Sequence, residues 1–207
     1  MTTKIEPGDT RVMTDTAKRM RVLMVIGSVR TGRFGHVPAS WLAERARLRD
    51  DIELAITDLA DLDLPADLGD KGRAAPSDVT ALGDQIEAAD AIVIVTPVYN
   101  RGYPASLKNA IDWFNSEWSA TPVGFVSYGG RTGGIEAVEQ LRTVFVELGT
   151  MTIRNVLSFP DFWEVFDESG VPADPARVSR AAGNFYDELI WWARALRPAR
   201  LARQARR

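Results

Sequence analysis

Cysteine is absent from this 207-residue chain. Structural disulfides, thiolate catalysis and cysteine-ligated zinc or iron–sulfur centres are therefore excluded. A single histidine, His36, rules out a multi-histidine metal centre and leaves a Ser-His-Asp triad only one possible base. His36 is expected to be a surface or helix-start residue rather than a catalyst. There is no basic excess either: 25 Lys and Arg stand against 28 Asp and Glu, a formal net charge of -3, which removes the general reason to expect a nucleic-acid partner. Residues 1–19 mix Thr, Asp, Lys, Glu, Pro and Gly without an apolar run, so they read as a loose leader, neither a signal peptide nor a membrane span. The lack of an export signal and of cysteine favours a cytoplasmic protein with no membrane partner.

What is present is ordinary globular composition, 45% apolar and 26% charged, in a chain long enough for one well-buried domain. No repeat or second domain is visible, and the domain is expected over 20–197. Arg21 to Gly27 is a short continuous apolar run, as a strand buried on both faces should read. Val37, Trp41, Leu42 and Ala46 then recur at helical spacing. Ile52, Leu54 and Ile56 alternate with less apolar neighbours as a second strand, and Asp61 to Pro76 is broken by Pro and Gly into a long loop. Val79, Leu82, Ile86 and Ala89 mark a helix, Ala91 to Val95 a central strand, and Leu107, Ala110, Ile111 and Phe114 the buried face of a helix that Pro104 opens. Pro122–Val126 and Thr150–Val156 read as further strands around a helix at Ile135–Leu148, and a last helix is expected from about Asp174 to Leu196. The alternation predicts a three-layer α/β sandwich on a parallel sheet. Between Phe159 and Asp174, Phe162, Trp163 and Phe166 indicate a packed excursion. Residues 198–207 form a basic tail, expected to be a solvated helix end whose cations suit the helix dipole.

Ligands of open α/β sheets bind at the carboxyl ends of the strands, and three glycine-punctuated turns fall there. In the first, Gly27, Gly32 and Gly35 let main-chain amides converge on an anion at a helix start. Ser28 and Thr31 add neutral donors, and Arg30 and Arg33 add charge-assisted ones. A terminal phosphate suits this set. The spacing is neither G-x-G-x-x-G nor a P-loop ending in Gly-Lys-Ser/Thr, and the second strand lacks the terminal acid of an NAD ribose site unless Asp58 is given that part. In the second turn, Pro97 fixes the chain, Tyr99 offers an aromatic face and Asn100 can read the polar edge of a heterocycle, while Gly102 permits a tight reversal. In the third, Ser127, Tyr128, Gly129 and Gly130 expose hydroxyls and amides, followed by Gly133 and Gly134.

With these residues in place the chain resembles the NADPH-dependent FMN reductase family of flavodoxin-like proteins. The resemblance rests on Gly27-Ser28-Val29-Arg30 with Gly32-Arg33-Phe34-Gly35, on Pro97-Val98-Tyr99-Asn100 followed by Tyr103 to Trp113, and on Ser127-Tyr128-Gly129-Gly130, and it spans roughly Arg21 to Phe159. It implies a doubly wound five-stranded sheet of order 2-1-3-4-5. It also implies bound FMN with NAD(P)H as reductant, and a homodimer or homotetramer. The FMN phosphate is then expected at Ser28, Arg30 and the turn Arg33, Phe34, Gly35. The isoalloxazine is expected against Pro97, Val98, Tyr99 and Asn100, with Ser127, Tyr128, Gly129 and Gly130 along another edge. The departure is Val98, where many relatives carry glutamate, so backbone contacts are the expected ones there.

The resemblance further implies that hydride passes from nicotinamide C4 to flavin N5 without a protein acid, base or nucleophile. Flavin, quinone, nitro or azo compounds would be acceptors in a ping-pong arrangement, and a partner monooxygenase is a candidate consumer. Arg101 and Tyr103 are candidates for the mouth of the site, and Trp113, Phe114 and Trp118 for core or a subunit interface. Two other classes stand beside this one. A flavodoxin-like one-electron carrier would bind FMN without oxidising NAD(P)H, and a silent regulatory relative would not bind FMN at all.

Overall fold

The computed structural model of the chain describes residues 19–69 and 74–206. Its apolar runs become the strands of a parallel sheet. β1 (Met20–Ile26), β3 (Ala91–Pro97) and β4 (Pro122–Tyr128) form the centre, and β2 (Ile52–Asp58) and β5 (Met151–Phe159) the edges. The order is β2-β1-β3-β4-β5, as expected of a flavodoxin-like fold.

Successive residues of a strand point to opposite faces, so each central strand feeds two cores. Val22, Met24 and Ile26 of β1, with Val93 and Val95 of β3, meet helices α1 (His36–Arg47) and α6 (Pro175–Gln204). Leu23, Val25, Ile92 and Ile94 meet α2 (Ser77–Ala88), α3 (Ala105–Asp112) and α4 (Ile135–Glu147) on the other side. Each such fully buried side chain contributes about 1.5–3 kcal/mol. Gly124, at a break in register between β4 and β5, lets α6 come close: a Cβ there would lie 2.5 Å from Phe185 Cζ.

Local structure adds detail to the periodicity. The alternation of β2 fails at its carboxyl end, where Ile56 is exposed and Thr57 is buried with its hydroxyl bonded to Gln85 of α2. The Phe159–Asp174 connection holds a short helix, α5 (Phe162–Val165), and the buried Phe166 packs against Phe159 and Trp41. The loop after β2 opens with a 3-10 turn, Leu59–Asp61. It is then tied to the end of α3, where Asn109 Nδ2 donates to Leu64 O at 2.8 Å and Trp113 Nε1 donates to Pro65 O at 3.0 Å. Trp113 therefore packs inside its own chain, and Phe114 and Trp118 lie in the core.

The last helix does not stop near Leu196. It runs to Gln204 with Pro198 inside it, and Arg200, far from solvated, is buried and donates to the carbonyls of Ile86 and Glu87 at the end of α2. A guanidinium suits the carbonyl end of a helix, where partial negative charge collects and amide donors are few. Residues 1–18 of the expected leader, 70–73 of the long loop and Arg207 lie outside the described residues.

Candidate functional site

Strand order places the turns after β1, β3 and β4 side by side, and the order reverses between β1 and β3, the position at which such sheets open a crevice. A cleft of about 670 Å³ lies there. Arg30, Arg33, Phe34, Pro97, Val98, Tyr99, Tyr128, Gly129 and Gly130 line it. Of the other residues expected there, Ser28, Gly35 and Ser127 are buried, and Asn100 is exposed. Gly35 is overlain by Tyr128: a Cβ on Gly35 would come within 2.9 Å of the Tyr128 hydroxyl.

The first turn is anchored before it reaches the cleft. Gly27 N donates to Val95 O at 2.9 Å, and Ser106 Oγ of α3 donates to Gly27 O at 2.7 Å. The turn closes where Arg33 N meets Arg30 O at 3.1 Å. Gly35 caps α1 without a side-chain hydrogen bond, so the amino end of the helix, with its partial positive charge, is left to another acceptor. The two arginines differ. Arg33 is ion-paired with Asp58 at the end of β2, whereas Arg30 is exposed and has no ion pair among the described residues. Asp58 also accepts from Ala60 N at 3.0 Å, so it caps a turn and holds Arg33.

In the second turn, Tyr99 N donates to Gly102 O at 2.8 Å and Gly102 N returns the bond at 3.0 Å. Both central residues have positive φ, Asn100 at 49° and Arg101 at 71°, the signature of a type I′ turn. The tight reversal expected of Gly102 thus falls on Asn100 and Arg101, and Gln140 Nε2 of α4 supports it by donating to Arg101 O at 3.0 Å. Across the sheet, Ser28 Oγ and Tyr99 OH lie 2.7 Å apart.

The third turn is drawn against the second: Val98 N donates to Tyr128 O at 3.2 Å, and a Cβ on Gly129 would lie 2.6 Å from Val98 Cγ1. A side chain there would press on Val98, which lines the cleft. Asp161 N donates to Gly130 O at 3.0 Å, which carries α5 to the rim. This brings in Phe162, whose ring centroid lies 4.5 Å from that of Phe34 and 5.5 Å from that of Tyr128. Phe162, His36, Val37, Thr31 and Gly32 also line the cleft. Phe162 follows the carboxyl end of β5 as the other site residues follow theirs, and that position was the available signal.

Three polar atoms around the cleft are buried without a hydrogen-bond partner among the described residues: Ser127 Oγ, Tyr128 OH and Arg33 Nε. Buried polar groups are met by protein, water or ligand, and a ligand in the cleft would meet these three. Burial pushes the Tyr128 phenol above its ordinary value, so it stays a neutral O–H. An anion-seeking helix end, an exposed arginine, buried hydroxyls and a cradle kept open by Gly129 suit a flat heterocycle carrying a phosphate, and so fit FMN.

The profile described as NADPH-dependent FMN reductase matches residues 20–164, from β1 into α5. Over 150 residues the chain is 33% identical to an NAD(P)H-dependent FMN reductase of Schizosaccharomyces pombe, covering 68% of this chain and 74% of the relative. It is 34% identical over 152 residues to a quinone reductase of Escherichia coli, covering 70% and 78%. The fold is shared with FerB, a flavoenzyme NAD(P)H:(acceptor) oxidoreductase of Paracoccus denitrificans, at a TM-score of 0.68 and 24% identity, covering 86% of this chain and 98% of that one. The chain belongs to the NADPH-dependent FMN reductase family, a family of oxidoreductases.

Proposed function

We propose that the cleft holds FMN and that the protein is an NAD(P)H-dependent reductase passing two electrons to small acceptors. The observation that carries this reading is the meeting of three strand-end turns around one cleft, where the buried Ser127 and Tyr128 hydroxyls have no hydrogen-bond partner among the described residues. Arg30, Ser28 and the uncapped amino end of α1 would hold the phosphate, and Pro97, Val98 and Tyr99 would flank the ring. Ser127, Tyr128, Gly129 and Gly130 would serve its polar edge. When bound, FMN supplies two-electron redox chemistry, accepting the equivalent of a hydride from a reduced nicotinamide and giving it up to a second acceptor.

The chain's own residues bind, orient and exclude water. Val98 and Gly129 set the width of the slot. Tyr128 supplies a neutral donor, and fixed donors near a ring that gains negative charge stabilise its reduced form. Phe34 and Phe162 wall one side with apolar surface, which favours planar acceptors such as quinones, free flavins, and nitro or azo compounds. A cytoplasmic homodimer or homotetramer, and a monooxygenase that uses the reduced product, belong to the same proposal.

Initial rates with NADPH and a benzoquinone varied together test it. Parallel reciprocal plots are expected, because reductant and acceptor would use the same open face in turn. Intersecting plots, or oxidation of neither NADPH nor NADH by flavin-loaded protein, would contradict it, and the second result would favour a one-electron carrier.

A further inference from the structure

We propose that Tyr99 is a positioning residue for phosphate: its hydroxyl orients Ser28, and through Ser28 the site distinguishes FMN from unphosphorylated riboflavin. The inference rests on the flavin reading above.

Ser28 and Tyr99 are 71 positions apart in the chain, on the turns after β1 and β3, and their hydroxyl oxygens are 2.7 Å apart with either able to donate. Neither turn has much freedom. Ser28 is fully buried, and the preceding Gly27 is held at both its amide and its carbonyl. A Cβ on Gly27 would already lie 3.1 Å from Leu107 Cδ2. Tyr99 is fixed by its reciprocal main-chain bonds with Gly102. What remains variable between them is the direction of one shared hydrogen bond.

A hydroxyl has one proton to donate, and an ionised phosphate can only accept. Ser28 can therefore give its proton to a phosphate oxygen only while Tyr99 is the donor in the bond between them. The relay then runs Tyr99 O–H to Ser28 Oγ, and Ser28 O–H to phosphate, with each bond polarising the next. Without Tyr99 the Ser28 proton loses its orientation. Arg30 attracts any anion, whereas this relay is directional. Riboflavin has no phosphate, so its affinity should not depend on the relay.

The test is a titration of the full chain, freed of flavin, with FMN and separately with riboflavin, following the quenching of flavin fluorescence. It compares the unmodified protein with Tyr99→Phe, Ser28→Ala and the double variant, each checked for fold by near-ultraviolet circular dichroism. Loss of a hydrogen bond of this kind weakens FMN binding about five- to tenfold in Tyr99→Phe, with riboflavin binding unchanged within about twofold and the double variant no weaker than Ser28→Ala. Should Tyr99→Phe fail to fold, Tyr99→Met, which keeps apolar bulk without the hydroxyl, asks the same question. Equal loss for both flavins, no loss for either, or additive losses would overturn the proposal. Unmodified protein that binds neither flavin would instead overturn the flavin reading, and this inference with it.

Discussion

Arg33 and Asp58 form an ion pair that ties the turn after β1 to the end of β2, with only 23% and 15% of their side chains exposed. A guanidinium committed in this way is a structural strut first. Arg33→Ala is expected to cost about 1–3 kcal/mol of stability, because it leaves a largely buried carboxylate unpaired. Arg30→Ala should leave stability unchanged but weaken FMN binding about tenfold, the value of a charge-assisted contact. Urea denaturation and flavin titration of both variants separate the two roles. The reverse pattern would show that Arg33 is the phosphate ligand.

Arg101 sits in the left-handed region at φ 71°, beside Asn100 at φ 49°. A non-glycine residue there costs about 1–2 kcal/mol, while glycine adds about 0.4–1 kcal/mol of unfolded-state entropy. Relief exceeds loss, so Arg101→Gly should stabilise the protein by about 0.5–1 kcal/mol. A rise in urea midpoint with unchanged slope is the expected result.

Gly129 is the opposite case, because what forbids a side chain is contact. With Val98 Cγ1 2.6 Å from the position of a Cβ, Gly129→Ala should destabilise by about 1–3 kcal/mol and impair flavin binding. Val98→Ala introduced into Gly129→Ala should recover part of both losses. It should not recover all, because Gly134 N would still lie 3.2 Å from the new methyl. Equilibrium unfolding and flavin titration of the single and double variants measure the recovery.

Acid stability should depend on Asp51. Its hydrogen bond to Arg49, which also pairs with Asp187, holds the Asp51 carboxyl below its ordinary value of 3.8. A carboxyl whose folded-state pKa is depressed stabilises the fold above the unfolded value and loses that contribution as pH falls through the folded one. Asp51→Asn should therefore be less stable than the unmodified protein at pH 7, and the gap should close below pH 3.8. A gap independent of pH in urea melts would contradict this.

Much of this molecule is legible in its residues before folding. The runs at Arg21–Gly27 and Ala91–Val95 read as strands buried on both faces, and the glycine turns behind them mark the ligand-binding end of the sheet. What periodicity could not show depends on tertiary pairing. The ion pair of Arg33 with Asp58 joins two segments that the sequence keeps 25 residues apart. The stretch after Leu196 looks solvated until Arg200 meets the carbonyl end of α2. Gly102 looks like the pivot of its turn, but the pair of bonds between Tyr99 and Gly102 moves the positive φ to the two residues between them. Phe162 enters the cleft only because the main chain near Asp161 bonds to Gly130. The contact between Ser28 and Tyr99 spans two turns that only the sheet order brings together.

The decisive measurement is anaerobic stopped-flow absorbance of the FMN-loaded protein mixed with NADPH and, separately, NADH. Rapid loss of the oxidised-flavin band with at least one of them, followed by its return on adding a quinone, is expected. A band that persists through many seconds with both nucleotides would contradict the assignment of reductase activity to this cleft.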